Sequence, residues 1–204
     1  MKKMIFIAMV WVILIIAVGC TNAPEPPPDH LQEEGQQPEV EASFQEEASQ
    51  RSISDDGILH FSEGSVVLLA YEDEMNLEEI LGTPLVEEIV ILENADTFTG
   101  SHEKTLAYED TRLVLFSPAQ DGRRFYLINI ETENHRVTTN RGISPGSTLD
   151  DLMLAYPEVT RSLDGTSGID GRYELVLPDN PYTYLFFYIE EGKVVKLQLI
   201  HEFA

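Results

Sequence analysis

The chain has 204 residues, with 36 acidic and 13 basic side chains and a formal net charge of −23 at pH 7. A field of that sign repels the phosphates of nucleic acids and the headgroups of anionic lipids, which argues against nucleic acid as a partner. Hydrophobic residues make up 43% of the chain, a usual proportion for a folded domain. The one cysteine, Cys20, has no partner for an intramolecular disulfide.

The N-terminal segment has the composition of an export signal. Lys2 and Lys3 precede an uncharged, mainly apolar run over residues 4–18, which then meets a polar, proline-containing segment. A membrane-spanning helix, the alternative interpretation, needs about 20 apolar residues, and this run is shorter. The run ends in Ala17-Val18-Gly19-Cys20.

That ending resembles the lipobox of bacterial lipoproteins, although position 17 is Ala where the family more often has Leu. The resemblance implies that residues 1–19 are a signal peptide and that Cys20 carries the acyl chains, including palmitate, of a membrane anchor. Two or more acyl chains hold a protein stably at a bilayer where one does so only marginally. We therefore expect a protein anchored by lipid in the bacterial cell membrane, with its domain on the extracytoplasmic side.

A polar segment follows the cysteine. Residues 21–56 contain five prolines, ten acidic residues and one arginine, with almost no aliphatic run. Such a segment cannot bury enough apolar surface to offset the entropy of ordering, so residues 20–56 are predicted to be a disordered tether. Its r.m.s. span would be roughly 30–35 Å. A proline-rich ligand around residues 26–28 is the alternative.

The remaining residues, 57–204, read as one domain built mainly of strands. Short β-branched or aromatic runs bounded by turn residues predict strands at 65–71, 85–92, 112–116, 124–130, 172–177, 182–189 and 193–200. Two helices are predicted at 74–82 and 146–157. The first is followed by Gly82 and Pro84, and the second has Ser147 or Thr148 as its N-cap and ends at Pro157.

The order of these elements suggests an internal repeat. Leu77-Glu-Glu-Ile80 aligns with Leu149-Asp-Asp-Leu152, and each helix precedes strands that end in a hairpin. The predicted fold class is therefore α+β, with two weak repeats at roughly 65–135 and 141–204. Each repeat would place one or two short helices on an antiparallel sheet.

Two stretches carry a resemblance to a known group of small lipoprotein domains. They are RGISPGSTLDDLMLAYPE at residues 141–158 and YLFFYIEEGKVVKLQL at residues 184–199. Together they resemble the BLIP-like tandem domains and the SmpA/OmlA group. The resemblance implies helices packed on one face of an antiparallel sheet and a role in protein binding or envelope assembly. BLIP-like domains often contain disulfides that this chain lacks, and the SmpA/OmlA group usually has one repeat, so no binding residue follows from it.

Chemistry typical of catalysis is not apparent in the sequence. The five histidines are scattered without metal-ligand spacing, and neither a nucleophile motif nor a phosphate-binding loop is present. No catalytic residue, cofactor or tightly bound metal is predicted. Asp164 and Asp170, in a glycine-rich loop, are the weak alternative, as oxygen ligands of Ca²⁺ or as acidic groups near an enzyme site.

A candidate interface follows from the predicted C-terminal hairpin. A short turn at Glu191-Gly192 would pair Phe186 with Leu197 on the core face of the sheet. Leu185, Phe187 and Ile189 would then lie on the other face, near Lys196. These four residues form the predicted interface, and a three-residue turn would reverse the two faces.

These observations predict a non-enzymatic, lipid-anchored module that binds another envelope protein or senses a ligand. The alternative is an accessory cell-wall enzyme or an inhibitor of an envelope enzyme. A two-lobed solute-binding lipoprotein is disfavoured because residues 57–204 are too few to form two lobes around a cleft.

Overall fold

The structure, a computed structural model, describes residues 55–118, 121–162 and 168–203. All of these belong to one compact unit. The predicted signal peptide, Cys20 and nearly all of the predicted tether lie outside the described residues. Within those residues, no helix combines the length and the apolar character that crossing a bilayer would require.

Antiparallel strands dominate the described part of the chain. In chain order they are β1 (Ile58–Phe61), β2 (Gly64–Val67), β3 (Val86–Ile91), β4 (His102–Ala107), β5 (Thr111–Ser117), β6 (Tyr126–Thr132), β7 (Thr138–Thr139), β8 (Thr160–Arg161), β9 (Gly171–Val176), β10 (Thr183–Glu190) and β11 (Lys193–His201). Two short α-helices interrupt them, α1 (Leu77–Leu81) and α2 (Leu149–Ala155), with single 3₁₀ turns at Asp55–Gly57, Glu72–Glu74 and Asp96–Phe98. This content agrees with the predicted α+β class.

The strands form one large and one small sheet. The large sheet has eight strands in the order β3-β4-β5-β6-β11-β10-β9-β8, and the small one has the order β2-β1-β7. Strands β3 to β6 form one antiparallel meander and β8 to β11 form another. The last strand of each meander, β6 and β11, meet at the centre of the sheet. Each meander follows one of the α-helices in the chain.

The main core lies between the large sheet and the layer formed by the small sheet and the two helices. The face of the large sheet that this layer covers is called here the covered face, and the opposite side is called the second face. Leu59 of β1 and Leu152 of α2 are fully buried against the covered face. Leu113, Leu127 and Leu197 of the large sheet are fully buried on that same face. Burying one such side chain contributes roughly 1.5–3 kcal/mol, so this layer supplies most of the driving force for folding.

A smaller apolar cluster covers part of the second face, over β5 and β6. Phe116 of β5 is almost fully buried there together with Val114 and Ile128. The rings of Phe98, from the β3–β4 connection, and Phe203, near the C-terminus, lie 5.5 and 4.8 Å from the ring of Phe116. The rest of the second face, over β9 to β11, has no such cover among the described residues.

The predicted helices are confirmed, and so is the N-cap of the second one. Thr148 caps α2, and its Oγ1 accepts a hydrogen bond from the backbone N–H of Asp151 at 3.1 Å. The Asp151 carboxylate in turn accepts from the Thr148 backbone N–H and hydroxyl. The hydrogen bond from the Thr148 side chain, followed by the one from its backbone, lowers the pKa of Asp151 below its ordinary value.

Removing this cap provides a test of its role. We expect Thr148→Ala to destabilise the domain by about 1 kcal/mol, because the backbone N–H of Asp151 loses its side-chain acceptor and the Asp151 carboxylate loses the hydroxyl that donates to it. The same change should raise the pKa of Asp151 toward its ordinary value. NMR titration of the Asp151 side chain would measure this, with Thr148→Ser as the control that keeps the hydroxyl. An unchanged pKa in Thr148→Ala would contradict the described hydrogen bonds.

All seven predicted strands are present, but the prediction missed four others. β7 and β8 have two residues each, too few for any periodic signal. β4 has the sequence HEKTLA, in which charged residues replace the apolar positions of a typical strand. It becomes a strand because β3 and β5 pair with it on both sides, a tertiary effect that outweighs its low intrinsic propensity.

Candidate interaction surface

The pairing of β10 with β11 decides which side chains the second face presents. Next to the turn, Ile189 lies opposite Val194, as the predicted register requires. A β-bulge then shifts the register by one residue, so that Tyr188 lies opposite Lys196 and Phe187 opposite Leu197. With this shift the aliphatic residues of both strands share the covered face, and Phe186 lies opposite Gln198 instead of Leu197.

The predicted interface was therefore wrong for three of its four residues. Leu185 and Phe187 are 0% exposed and Ile189 is 2% exposed, because all three belong to the main core. Lys196 does lie on the second face, half-buried beside Tyr188. The prediction missed the bulge, and an error of one residue in register exchanges the two faces of a strand.

The second face of β10 carries aromatic residues instead: Tyr184 and Tyr188 are half-buried, and Phe186 is 5% exposed beneath Arg172. We call the group formed by Tyr184, Phe186, Tyr188, Arg172 and Lys196 the aromatic platform. The rings of Tyr184 and Phe186 stack, with centroids 5.5 Å apart and planes 10° from parallel. The Arg172 guanidinium lies 4.3 Å from the Phe186 ring centroid, and the Lys196 ammonium lies 4.0 Å from that of Tyr188. Both distances are in the range of cation–π attraction.

Hydrogen bonds hold the platform on its β11 side. The Tyr188 hydroxyl donates to Oε1 of Gln198 at 2.6 Å. The Gln198 amide then donates to Oδ1 of Asn129 and Oε1 of Glu131, each at 3.1 Å. This chain crosses from β10 through β11 to β6, and so it links the two meanders on the second face.

A second group of hydrogen bonds holds the platform on its β9 side. The Arg172 guanidinium donates to Oγ of Ser162 at 3.1 Å, and the Ser162 hydroxyl donates to Glu174 at 2.6 Å. Arg172 also lies 3.8 Å from the Glu174 carboxylate. The guanidinium is therefore fixed over the Phe186 ring by contacts on both of its sides, which reduces the side-chain entropy that a partner would otherwise have to remove.

The platform concentrates positive charge in an acidic protein. Residues 57–204 contain 26 acidic and 10 basic side chains. Arg172 and Lys196 belong to the platform, and Arg112 of β5 lies opposite Glu131 of β6 in the strand register. A cleft of about 300 Å³ beside the platform is lined in part by Arg112, Glu131 and Lys196. On the second face these bases lie beside the acidic side chains of Glu131 and Glu174.

The other candidate residues from the sequence do not come together. Asp164 lies outside the described residues. The carboxylate of Asp170 accepts a hydrogen bond from the Gly192 N–H at 3.2 Å, and the carbonyl oxygen of Asp170 accepts from Arg161, so this residue connects its loop to the β10–β11 turn and to β8. Within the described ranges, no three His, Cys, Asp or Glu side chains meet in a way that would hold a metal ion.

Comparisons with protein-family models, with curated proteins and with solved structures gave no match to this chain. The surface is therefore interpreted from its own geometry. One sequence signal did indicate the platform, namely aromatic residues at every second position of β10, Tyr184, Phe186 and Tyr188. The same strand also alternates Leu185, Phe187 and Ile189, so the sequence contained two apolar faces and no local signal for which of them is buried.

Proposed function

We propose that this protein is a lipid-anchored, extracytoplasmic, non-enzymatic module that binds another protein of the bacterial envelope through its aromatic platform. One observation carries the proposal: the second face over β9 to β11 holds a row of three aromatic rings with two cations over them, in which Tyr184, Tyr188, Arg172 and Lys196 are partly exposed and Phe186 is buried beneath Arg172. The membrane anchor at Cys20 and the tether rest on the N-terminal sequence.

The composition of the platform suits recognition of a protein. Tyrosine, phenylalanine and arginine are enriched at the centres of protein interfaces, where most of the binding energy arises. Side chains that are already held in place before binding lose little conformational entropy on association. The two cations of the platform favour a partner surface that presents carboxylates beside apolar groups. The strong negative charge of the remaining surface would repel acidic proteins that approach in any other orientation, and this favours one docking geometry.

We also propose that the two meanders are repeats of one BLIP-like unit. The support is topological, because each unit consists of a short helix followed by a four-stranded meander, and the two meet through their last strands. In such an arrangement the paired sheets form one broad surface, with the junction of β6 and β11 at its centre. The platform lies on the second unit, beside that junction.

Site-specific photocrosslinking of the full-length chain in its native membranes would test the proposal. A benzophenone amino acid replaces Tyr188 in one variant and Leu154 in a matched control. Leu154 is 85% exposed on α2, in the layer that covers the opposite face of the sheet. We expect a defined protein adduct from position 188 only, and loss of that adduct when Lys196→Glu is added.

Two outcomes would contradict the proposal. The same adducts from both positions would indicate random collisions at the membrane. Absence of any adduct from position 188, in a variant whose circular dichroism and thermal midpoint match the wild type, would remove the platform as a binding surface. Turnover of cell-wall fragments by the purified protein would instead support the alternative of an accessory enzyme.

A further inference from the structure

The two edges of the large sheet differ in a way that points to a second binding site. One edge, β8, has only two residues and ends the sheet abruptly. The other edge, β3, has six residues, and every one of them is exposed. Among the described strands, β4 alone pairs with β3. An exposed strand edge of this length is a template for pairing with another extended chain.

Native proteins usually block such an edge, and of the usual devices β3 has only the charges of Glu87 and Glu88. The sequence VEEIVI contains neither lysine nor proline, and its pairing with β4 is regular, without a bulge. Exposed apolar side chains lie on both faces of the strand. Val86 is 52% exposed, Ile89 51% and Ile91 60%, and Leu85 just before the strand is 74% exposed.

The backbone of β3 has hydrogen-bonding groups directed away from the sheet. The N–H of Leu92 donates to the carbonyl of Ser101 at 2.9 Å, which places Leu92 among the residues bonded toward the sheet. Bonding alternates along an antiparallel pair, so the groups of Glu88 and Val90 also turn toward β4. Those of Glu87, Ile89 and Ile91 therefore turn toward the outer edge.

The charges near this edge determine which kind of extended chain could pair with it. Glu88, Glu93 and Glu103 lie on or beside β3, and among the described residues none of the three forms an ion pair with a base. Lys104, the basic residue nearest in the sheet, is only 13% exposed and already bridges Glu72 and Glu87. Residues 57–204 carry 16 more acidic than basic side chains, so a second copy of this domain would be repelled.

We propose that β3 is a docking edge for an extended segment of another protein in which basic residues alternate with aliphatic ones. The segment adds a ninth strand to the large sheet. Its backbone bonds to Glu87, Ile89 and Ile91, its aliphatic side chains pack beside Ile89 and Ile91, and its basic side chains lie beside Glu88 on the opposite face. This site is independent of the aromatic platform, which lies on the other half of the sheet and contains Arg172 and Lys196.

The test uses the full-length chain in detergent and two synthetic peptides. The first is an eight-residue peptide that alternates lysine and valine. The second has the same sequence and charge, but every valine is N-methylated, so that one edge of the peptide cannot donate hydrogen bonds. We expect the first peptide to bind at least about tenfold more tightly than the second, because several backbone hydrogen bonds are lost together. Hydrogen exchange should slow at the amides of Ile89 and Ile91 when the first peptide binds.

Protein variants locate the binding at β3. Ile89→Pro removes an outward N–H from an edge strand, where proline is tolerated, and we expect it to weaken binding of the first peptide at least about tenfold. Ile89→Lys should weaken it similarly, whereas Leu154→Lys, the same change at an exposed position of α2, should leave it unchanged. Thermal midpoints close to that of the wild type confirm that each variant is folded.

Three results would overturn the proposal. Equal affinity for the two peptides would indicate attraction by the acidic surface alone. Equal binding by Ile89→Pro and the wild type would place the contact elsewhere. Self-association of the wild type in the absence of peptide, abolished by Ile89→Lys, would identify a second copy of the chain as the occupant. None of these results bears on the platform, because the photocrosslinking at position 188 reports on a different face.

Discussion

Replacing Phe187 by alanine is expected to lower the free energy of unfolding by about 3–5 kcal/mol. Phe187 is fully buried in the main core, and its ring lies 5.2 Å from that of Tyr156, across from β10 in the covering layer. Removing it leaves a cavity between the sheet and α2 that neighbouring side chains fill only in part. Urea denaturation followed by circular dichroism would measure the loss.

The matched control is the next residue along the strand. Tyr188 points to the second face, where it is half-buried, donates one hydrogen bond to Gln198 and lies under Lys196. Tyr188→Ala should cost only about 1–2 kcal/mol, the value of one hydrogen bond and one partly exposed cation–π contact. The reverse order, with Tyr188→Ala the more damaging, would show that the unbulged register is correct and that the two faces of β10 are exchanged.

Replacing Arg141 by alanine is the second change with a large expected effect. The guanidinium of Arg141 lies 2.6 Å from the Asp56 carboxylate and 2.6 Å from that of Glu158, and its carbon is 4.3 Å from the centre of the Tyr156 ring. The Tyr156 hydroxyl also donates to Asp56, at 3.2 Å. Arg141 thus joins the 3₁₀ turn that begins the described domain to the end of α2.

Protonation states in this cluster follow from burial and pairing. Burial opposes the charge of Arg141, but hydrogen bonds to Asp56 and Glu158 outweigh it and raise its pKa. Burial raises the pKa of the Tyr156 phenol, so that it remains a donor to Asp56. The pKa of Glu158 is lowered, first by a hydrogen bond from its own backbone N–H and then by Arg141.

We expect Arg141→Ala to destabilise the domain by about 2–3 kcal/mol, because Asp56, whose side chain is only 10% exposed, would keep a buried charge without its cation. Arg123→Ala is the control, since Arg123 is 85% exposed and its pair with Asp121 should contribute less than about 1 kcal/mol. Equal losses in the two variants, measured by urea denaturation, would contradict the role assigned to Arg141.

The pH dependence of stability supplies an independent readout of the same cluster. A carboxyl group with a lowered pKa in the folded state stabilises the fold above its unfolded pKa, and that contribution disappears as the pH falls through the folded pKa. Stability should therefore decline below about pH 4.5 as Glu158 is protonated. The decline should be shallower in Arg141→Ala, because part of the Glu158 pKa shift comes from the guanidinium.

Features encoded by neighbouring residues were predictable from the sequence. The N-cap of α2 at Thr148 and the end of α1 at Gly82 depend on hydrogen bonds and backbone angles within one or two turns of chain. Seven of the eleven described strands were also predictable, since each of the seven has β-branched or aromatic residues between turn residues. These signals are local, so no knowledge of distant contacts was needed to read them.

The β4 strand and the faces of β10 depended on partners distant in the sequence. HEKTLA has no strand signal of its own and is held between β3 and β5. In β10 both alternating sets are large and apolar, so hydrophobicity alone does not separate Leu185, Phe187 and Ile189 from Tyr184, Phe186 and Tyr188. The bulge before Ile189 brings the aliphatic set together with Leu197 and Leu199 beneath α2 and the small sheet.

The sequence by itself thus determined where the two helices begin and end, seven of the eleven described strands, the strongly acidic charge and the expectation of an export signal ending at Cys20. The tertiary structure decided which side of β10 is core, that β3 is an exposed edge, and that Arg141 meets Asp56 across 85 residues of chain. The physical reason is the range of the forces. Propensity and capping act over a few residues, whereas burial depends on which distant layer covers a surface, and a shift of one residue in register reverses that outcome.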